Sequence, residues 1–142
     1  MEIKIKKLYE DSVIPTKGSK YAAGFDLYAH ESVIIAPHTN VKVGTGVAIK
    51  APDGTFGAIF ARSGLATKQS LRPANCVGVC DSDYTGEYIV AVHNDSNETR
   101  TITQGERIGQ VVFIPYMDAF FVEVEELEET ERGDGGFGST GA

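Results

Sequence analysis

Three observations in the sequence predict an all-β domain, a sandwich or barrel: apolar residues alternate in short runs, turn formers separate those runs, and only one stretch breaks the alternation. Ile3 and Ile5 begin the series. Val41 with Val43, Val47 with Ile49, and Phe56, Ala58 and Phe60 continue it. Tyr88, Val90 and Val92, then Val111 and Phe113, and last Phe120, Val122 and Val124 complete it. A period of two marks a strand with one face buried and one face wet. Between the runs lie Pro15 to Gly18, Pro37 to Asn40, Pro52 to Gly54, Asp81 to Gly86, Asn94 to Asn97, and Gln104 to Gly105. These residues preset or tolerate the backbone angles of tight turns. The exception is Ser63 to Leu71, with a capping-type serine, good helix formers and Pro73 soon after, which predicts one short helix.

A chain of 142 residues is one domain's worth and can bury a sizeable core. With 42% hydrophobic and 23% charged residues it reads as globular, not disordered. Twenty acids stand against 13 bases, and six of them (Glu123, Glu125, Glu126, Glu128, Glu129, Glu131) crowd one short stretch; without them 14 acids face 13 bases. The acidity is therefore local. It would repel a phosphate backbone, so no nucleic-acid partner is expected. The longest apolar run, Tyr88 to Val92, falls far short of the roughly 20 residues a membrane helix needs. No membrane association and no secretory leader are expected. Cys76 and Cys80 are the only cysteines, too few for a disulfide framework; read as reduced thiols, they suit a cytoplasmic protein. The expected organisation is a β domain over residues 1–122, an acidic linker over 123–131 and a glycine-rich arm over 132–142.

Four segments carry residues suited to chemistry. Gly133, Gly135 and Gly138 give G-x-G-x-x-G, but a dinucleotide fingerprint must follow a strand and open a helix, and here the chain ends four residues later. What remains is a stretch whose backbone N–H groups, with Arg132, Ser139 and Thr140, could wrap an anion, or else a polar terminus that frays. Ala61 to Gly64 sets Arg62 and Ser63 at the start of the helix, a place that favours negative charge; Ser63 could equally serve only as a cap. Asp81, Ser82, Asp83 and Tyr84 before Gly86 read first as a hairpin turn. The alternative is that one aspartate is a general base for a water, and the spacing does not say which. Asp26, between apolar neighbours, reads as a hydrogen-bonded structural carboxylate. His30, His38 and His93 are scattered without metal spacing, so a protein-held catalytic metal is not expected.

Five stretches in order, AGFDLYA (Ala23 to Ala29), ARSGLA (Ala61 to Ala66), NCVGVCDSDYTGE (Asn75 to Glu87), GERIGQVVFIP (Gly105 to Pro115) and RGDGGFGSTG (Arg132 to Gly141), resemble the five motifs of the trimeric dUTP diphosphatases. The match spans nearly the whole chain. The resemblance implies a jelly-roll-like distorted β-barrel with one short helix, assembled as a homotrimer with three active sites shared between subunits. It also implies Mg²⁺-dependent hydrolysis of dUTP to dUMP and pyrophosphate, which keeps uracil out of DNA and supplies dUMP for thymidylate synthesis.

Residue by residue, the resemblance makes Asp81 the base that activates the water attacking the α-phosphorus, and puts Tyr84 against the sugar at C2′. Backbone groups around Cys76, Gly78 and Ile89, supported by Asn75, would pair with uracil in a pocket too tight for a thymine methyl. Arg62, Ser63, Gly64 and Gln110 would hold the phosphate chain. From another subunit's arm, Arg132, Gly138, Ser139 and Thr140 would close over the outer phosphates and Phe137 would stack on uracil. Mg²⁺ would ride on phosphate oxygens and waters, with Asp26 contributing at most indirectly. Cys80 departs from the aliphatic residue the family usually carries before the aspartate, a loss of volume that the core is expected to absorb. Asp134 occupies a variable position in the arm. Two rivals remain: a dCTP deaminase, against which Asp81 in DSDY argues, and a nucleotide-sensing module that binds without hydrolysis.

Overall fold

The computed structural model describes residues 1–139 and 141. In chain order the elements are β1 (Lys4–Lys7), β2 (Phe25–Tyr28), β3 (Val33–Ile35), β4 (Asn40–Lys50), β5 (Thr55–Phe60), α1 (Ser63–Gln69), β6 (Leu71–Pro73), β7 (Gly78–Cys80), β8 (Glu87–Asn94), β9 (Arg100–Ile102) and β10 (Arg107–Pro115). Two four-stranded sheets, ordered β1-β4-β8-β6 and β2-β10-β5-β7, are joined by the two-stranded pair β3-β9, and every pairing is antiparallel. Consecutive strands fall in different sheets at every connection. That winding is the jelly-roll-like barrel.

The core lies between the sheets, where Leu27, Ile35, Val43, Val47, Tyr88, Val90, Val92, Ile102, Ile108 and Val111 are buried. On β8 the alternation is clean, with Tyr88, Val90, Val92 and Asn94 inward. Asn94, the buried polar member, donates from its amide to the carbonyls of Ile35 and Glu98 and accepts from Ser96, so its burial is compensated. β5 differs from the expected alternation: Ala58 and Ile59 are both buried while Phe56 and Phe60 are half-buried, so both faces of this interior strand, paired on its two edges with β10 and β7, are partly covered.

Five further expectations change in the structure. The runs Val41–Val43 and Val47–Ile49 belong to one long strand, β4, whose register against β8 shifts between Gly44 and Ala48. Gly46 sits at φ 70° in that bulge, and its N–H donates to the Glu87 carboxylate. The helix ends at Gln69: Ser70 takes a left-handed φ of 58°, its N–H donates to the Leu65 carbonyl, and Leu71 starts β6. Arg62, not Ser63, occupies the N-cap position, and no side chain caps it. Asp81 to Gly86 is not a hairpin, since β7 and β8 lie in different sheets and the segment carries the chain across. Phe120, Val122 and Val124 form no strand and stand exposed, because no neighbouring strand within the chain offers their backbone a ladder. Among the described residues no helix is long and apolar enough to cross a membrane.

Candidate active site

The segment from Asn75 to Ile89 builds a cavity of about 250 Å³ that brings together Asn75, Gly78, Asp81, Tyr84 and Ile89. Its shape follows from local backbone. Cys76 holds a left-handed φ of 63°, strained for a residue with a Cβ, and closes a tight turn in which its N–H donates to the Pro73 carbonyl and the Val77 N–H to the Asn75 carbonyl. The Cys76 side chain points to solvent, and the residue is not part of the cavity wall. Gly78 then lies against Ile59, where a Cβ would come 3.2 Å from the isoleucine Cβ.

Beyond β7 the Tyr84 N–H donates to the Asp81 carbonyl, and the Tyr84 hydroxyl donates back to the Glu87 carbonyl at 2.7 Å. The ring folds over Gly86, whose missing side chain makes room for it: a Cβ there would meet the tyrosine oxygen at 2.7 Å. Tyr84 is thus pinned as a wall. Asp81 is exposed at the cavity, with its side chain free of hydrogen bonds or ion pairs among the described residues. Such a carboxylate can accept a proton from a water without first breaking a pair.

A second opening, of about 420 Å³, is walled by Arg62, Gly64 and Leu65 at the start of α1 together with Tyr28, Lys68 and Arg107. Asp26 organises it from beneath. One of its oxygens accepts from Arg62 Nε at 2.9 Å and the other from Arg107 at 3.4 Å, so two guanidiniums are held side by side. Gln110 sits below the same segment, where its amide donates to the Ala61 carbonyl at 2.9 Å and its Oε1 lies where a side chain on Gly24 would stand. Its role here is to hold the 61–63 backbone; it does not line the opening. Ser63 is the first helical residue, and its carbonyl accepts from Thr67.

Arg62, Lys68 and Arg107 against the single acid Glu106 leave the opening net positive, which suits an anion with several charges. Lys68 and Arg107 had no role in the sequence reading. Arg107 could have been noticed within GERIGQ, whereas the turn of helix that brings Lys68 round beside Arg62 emerges only from the fold. Asp26 has both oxygens engaged by cations, which makes it a poor ligand for a hard divalent ion, and among the described residues no three acidic, histidine or cysteine side chains gather as a metal site.

The two openings share no wall residue, and none of the described arm residues lines either one. Arg132 donates to the Gly135 carbonyl within its own segment, Phe137 stands fully exposed at φ 50°, and Gly138 follows at φ 83°. Ser139 closes a local turn onto the Gly136 carbonyl. Thr140 lies outside the described residues.

An antiparallel jelly-roll-like barrel with a free carboxylate in one pocket and a net cationic opening beside a short helix fits an enzyme that acts on a polyanionic substrate. Comparisons narrow the class. The dUTPase family model matches residues 10–141. The deoxyuridine 5'-triphosphate nucleotidohydrolase of Nautilia profundicola is 49% identical over 141 residues, covering 99% of each chain; that of Hydrogenobaculum sp. is 43% identical over 142 residues, again covering 99% of each. Among solved structures, the Staphylococcus bacteriophage 80alpha dUTPase with dUpNHpp superposes with a TM-score of 0.91 at 29% identity, covering 99% of each chain. The chain belongs to the dUTPase family.

Proposed function

We propose that this enzyme hydrolyses dUTP to dUMP and pyrophosphate, with Asp81 as the base. Asp81 takes a proton from a water whose oxygen attacks the α-phosphorus in line with the bridge to the β-phosphate. The new P–O bond forms as the α–β bridging bond breaks, pyrophosphate departs with that bridging oxygen, and the proton rests on the aspartate until solvent removes it. The observation that carries this reading is the unpaired Asp81 carboxylate in a pocket walled by Tyr84 and Gly78. Family membership supports the choice of substrate.

Tyr84 packs on the deoxyribose and leaves no space for a 2′-hydroxyl, while the backbone around Gly78 and Ile89 reads uracil. The phosphates lie on Arg62, Gly64 and Arg107. Mg²⁺, when bound, would supply charge neutralisation to the triphosphate, while Arg62, Gly64 and Arg107 bind and orient the phosphates. Because the two openings share no wall in a single chain, the reading assigns them to different subunits of a homotrimer. The arm of the third subunit supplies Arg132, Phe137, Gly138 and Ser139 as a lid, and Thr140 belongs to the same proposal.

The test is Asp81→Asn, which keeps shape and removes the proton acceptor. It should bind dUTP as tightly as the parent and lose about two to four orders of magnitude in kcat. Retained turnover would sink the assignment.

A further inference from the structure

Tyr88 is the largest fully buried side chain of the molecule and has no place in the mechanism above. It stands on β8 in one sheet and reaches across the core to the other, where Gly57 on β5 pairs with Cys80 on β7. A Cβ on Gly57 would fall 2.7 Å from the phenol oxygen, so the hydroxyl fills the slot that glycine leaves. The Cys80 thiol is its polar neighbour, but the contact lacks the geometry of a full hydrogen bond. Among the described residues this hydroxyl is the buried side-chain polar atom left without a partner. Its ring lies 6.3 Å from that of Tyr84 at 32°. One buried side chain therefore touches the residue before Asp81 and the ring that walls the same pocket.

An unpartnered buried hydroxyl is unfavourable, and phenylalanine would remove it while keeping the ring, leaving only the small slot against Gly57 unfilled. Groups kept against their own stability cluster where a structure needs a fixed geometry. We propose that Tyr88 is a positioning residue: its hydroxyl, wedged between Gly57 and Cys80, fixes the end of β7 and with it the stance of Asp81 relative to Tyr84. This rests on Asp81 being the base.

The experiment compares kcat, KM for dUTP and Tm in the parent, Tyr88→Phe, Cys80→Ala and the double variant. Tyr88→Phe should lower kcat about fivefold to tenfold, as expected for a misplaced reacting group, with KM within about twofold and Tm unchanged or higher. Cys80→Ala should act in the same direction, and the double variant should be no worse than the poorer single one, since both remove one contact. A packing role alone would lower Tm and spare kcat. Parental kcat in Tyr88→Phe, or kcat losses that multiply in the double variant, would overturn the proposal. Asp81→Asn separates the two claims: if that variant turns over normally, the base assignment has failed whatever Tyr88 does.

Discussion

Asp26 shows how much of this site depends on a residue that touches no reacting atom. Its two oxygens hold Arg62 and Arg107 side by side, against the repulsion of two like charges. Asp26→Ala should release both guanidiniums, raise KM for dUTP about tenfold or more and lower stability by roughly 1–3 kcal/mol, since the carboxylate is largely buried and paired. Steady-state kinetics and a melting curve check both parts.

A different carboxylate contributes stability that acid removes. Arg72 grips Asp95 with two hydrogen bonds, 2.7 and 3.1 Å, and holds its carboxyl below the usual aspartate value. A depressed folded value means the pair stabilises the fold above the unfolded pKa of about 3.9 and loses that contribution as pH falls through the lower folded value. Asp95→Asn should therefore melt slightly lower than the parent near pH 7, and the gap should close as acidification carries the pH below the lowered folded value. A gap that widened on acidification would contradict the sign. At this scale the motifs pointed to Asp81, Tyr84 and Arg62, which the fold sets at the two openings. The sequence was silent on Tyr88 and on Asp26 as a double acceptor, because cross-sheet partners depend on register, which alternation alone does not supply.

A glycine bends β4 where its register against β8 shifts. Gly46 lies at φ 70°, and a Cβ there would run into the Ser12 hydroxyl and the His30 ring. Gly46→Ala should cost roughly 2 kcal/mol or more and loosen the pairing of β4 with β8, read as a lower Tm and faster amide exchange in both strands. The sequence showed two alternating runs here and not their union, since a bulge keeps each run's period while breaking the phase between them. β8 and the one helix were legible, the former from Tyr88, Val90 and Val92. Phe120 to Val124 carries the same pattern but forms no strand, because pattern reports which side chains favour burial and not whether a partner strand is present.

Across the whole molecule, the barrel class followed from short runs and frequent turns, while the winding between sheets did not. Beyond Pro115 the described chain has no regular element, and its arm closes turns on itself away from both openings. If that arm is the lid of another subunit's site, deletion of residues 132–142 should leave the oligomer's mass and Tm unchanged apart from the missing residues and lower kcat/KM by about two orders of magnitude or more. Light scattering and kinetics on the truncated protein decide it.

The most direct measurement is pyrophosphate release from dUTP, dTTP, dCTP and UTP with Mg²⁺, with a light-scattering mass taken in the same buffer. The account predicts rapid turnover of dUTP, little or none of the other three, and a mass of three chains. Tight dUTP binding without pyrophosphate release would contradict it and make the protein a nucleotide sensor; ammonia release from dCTP would make it a deaminase.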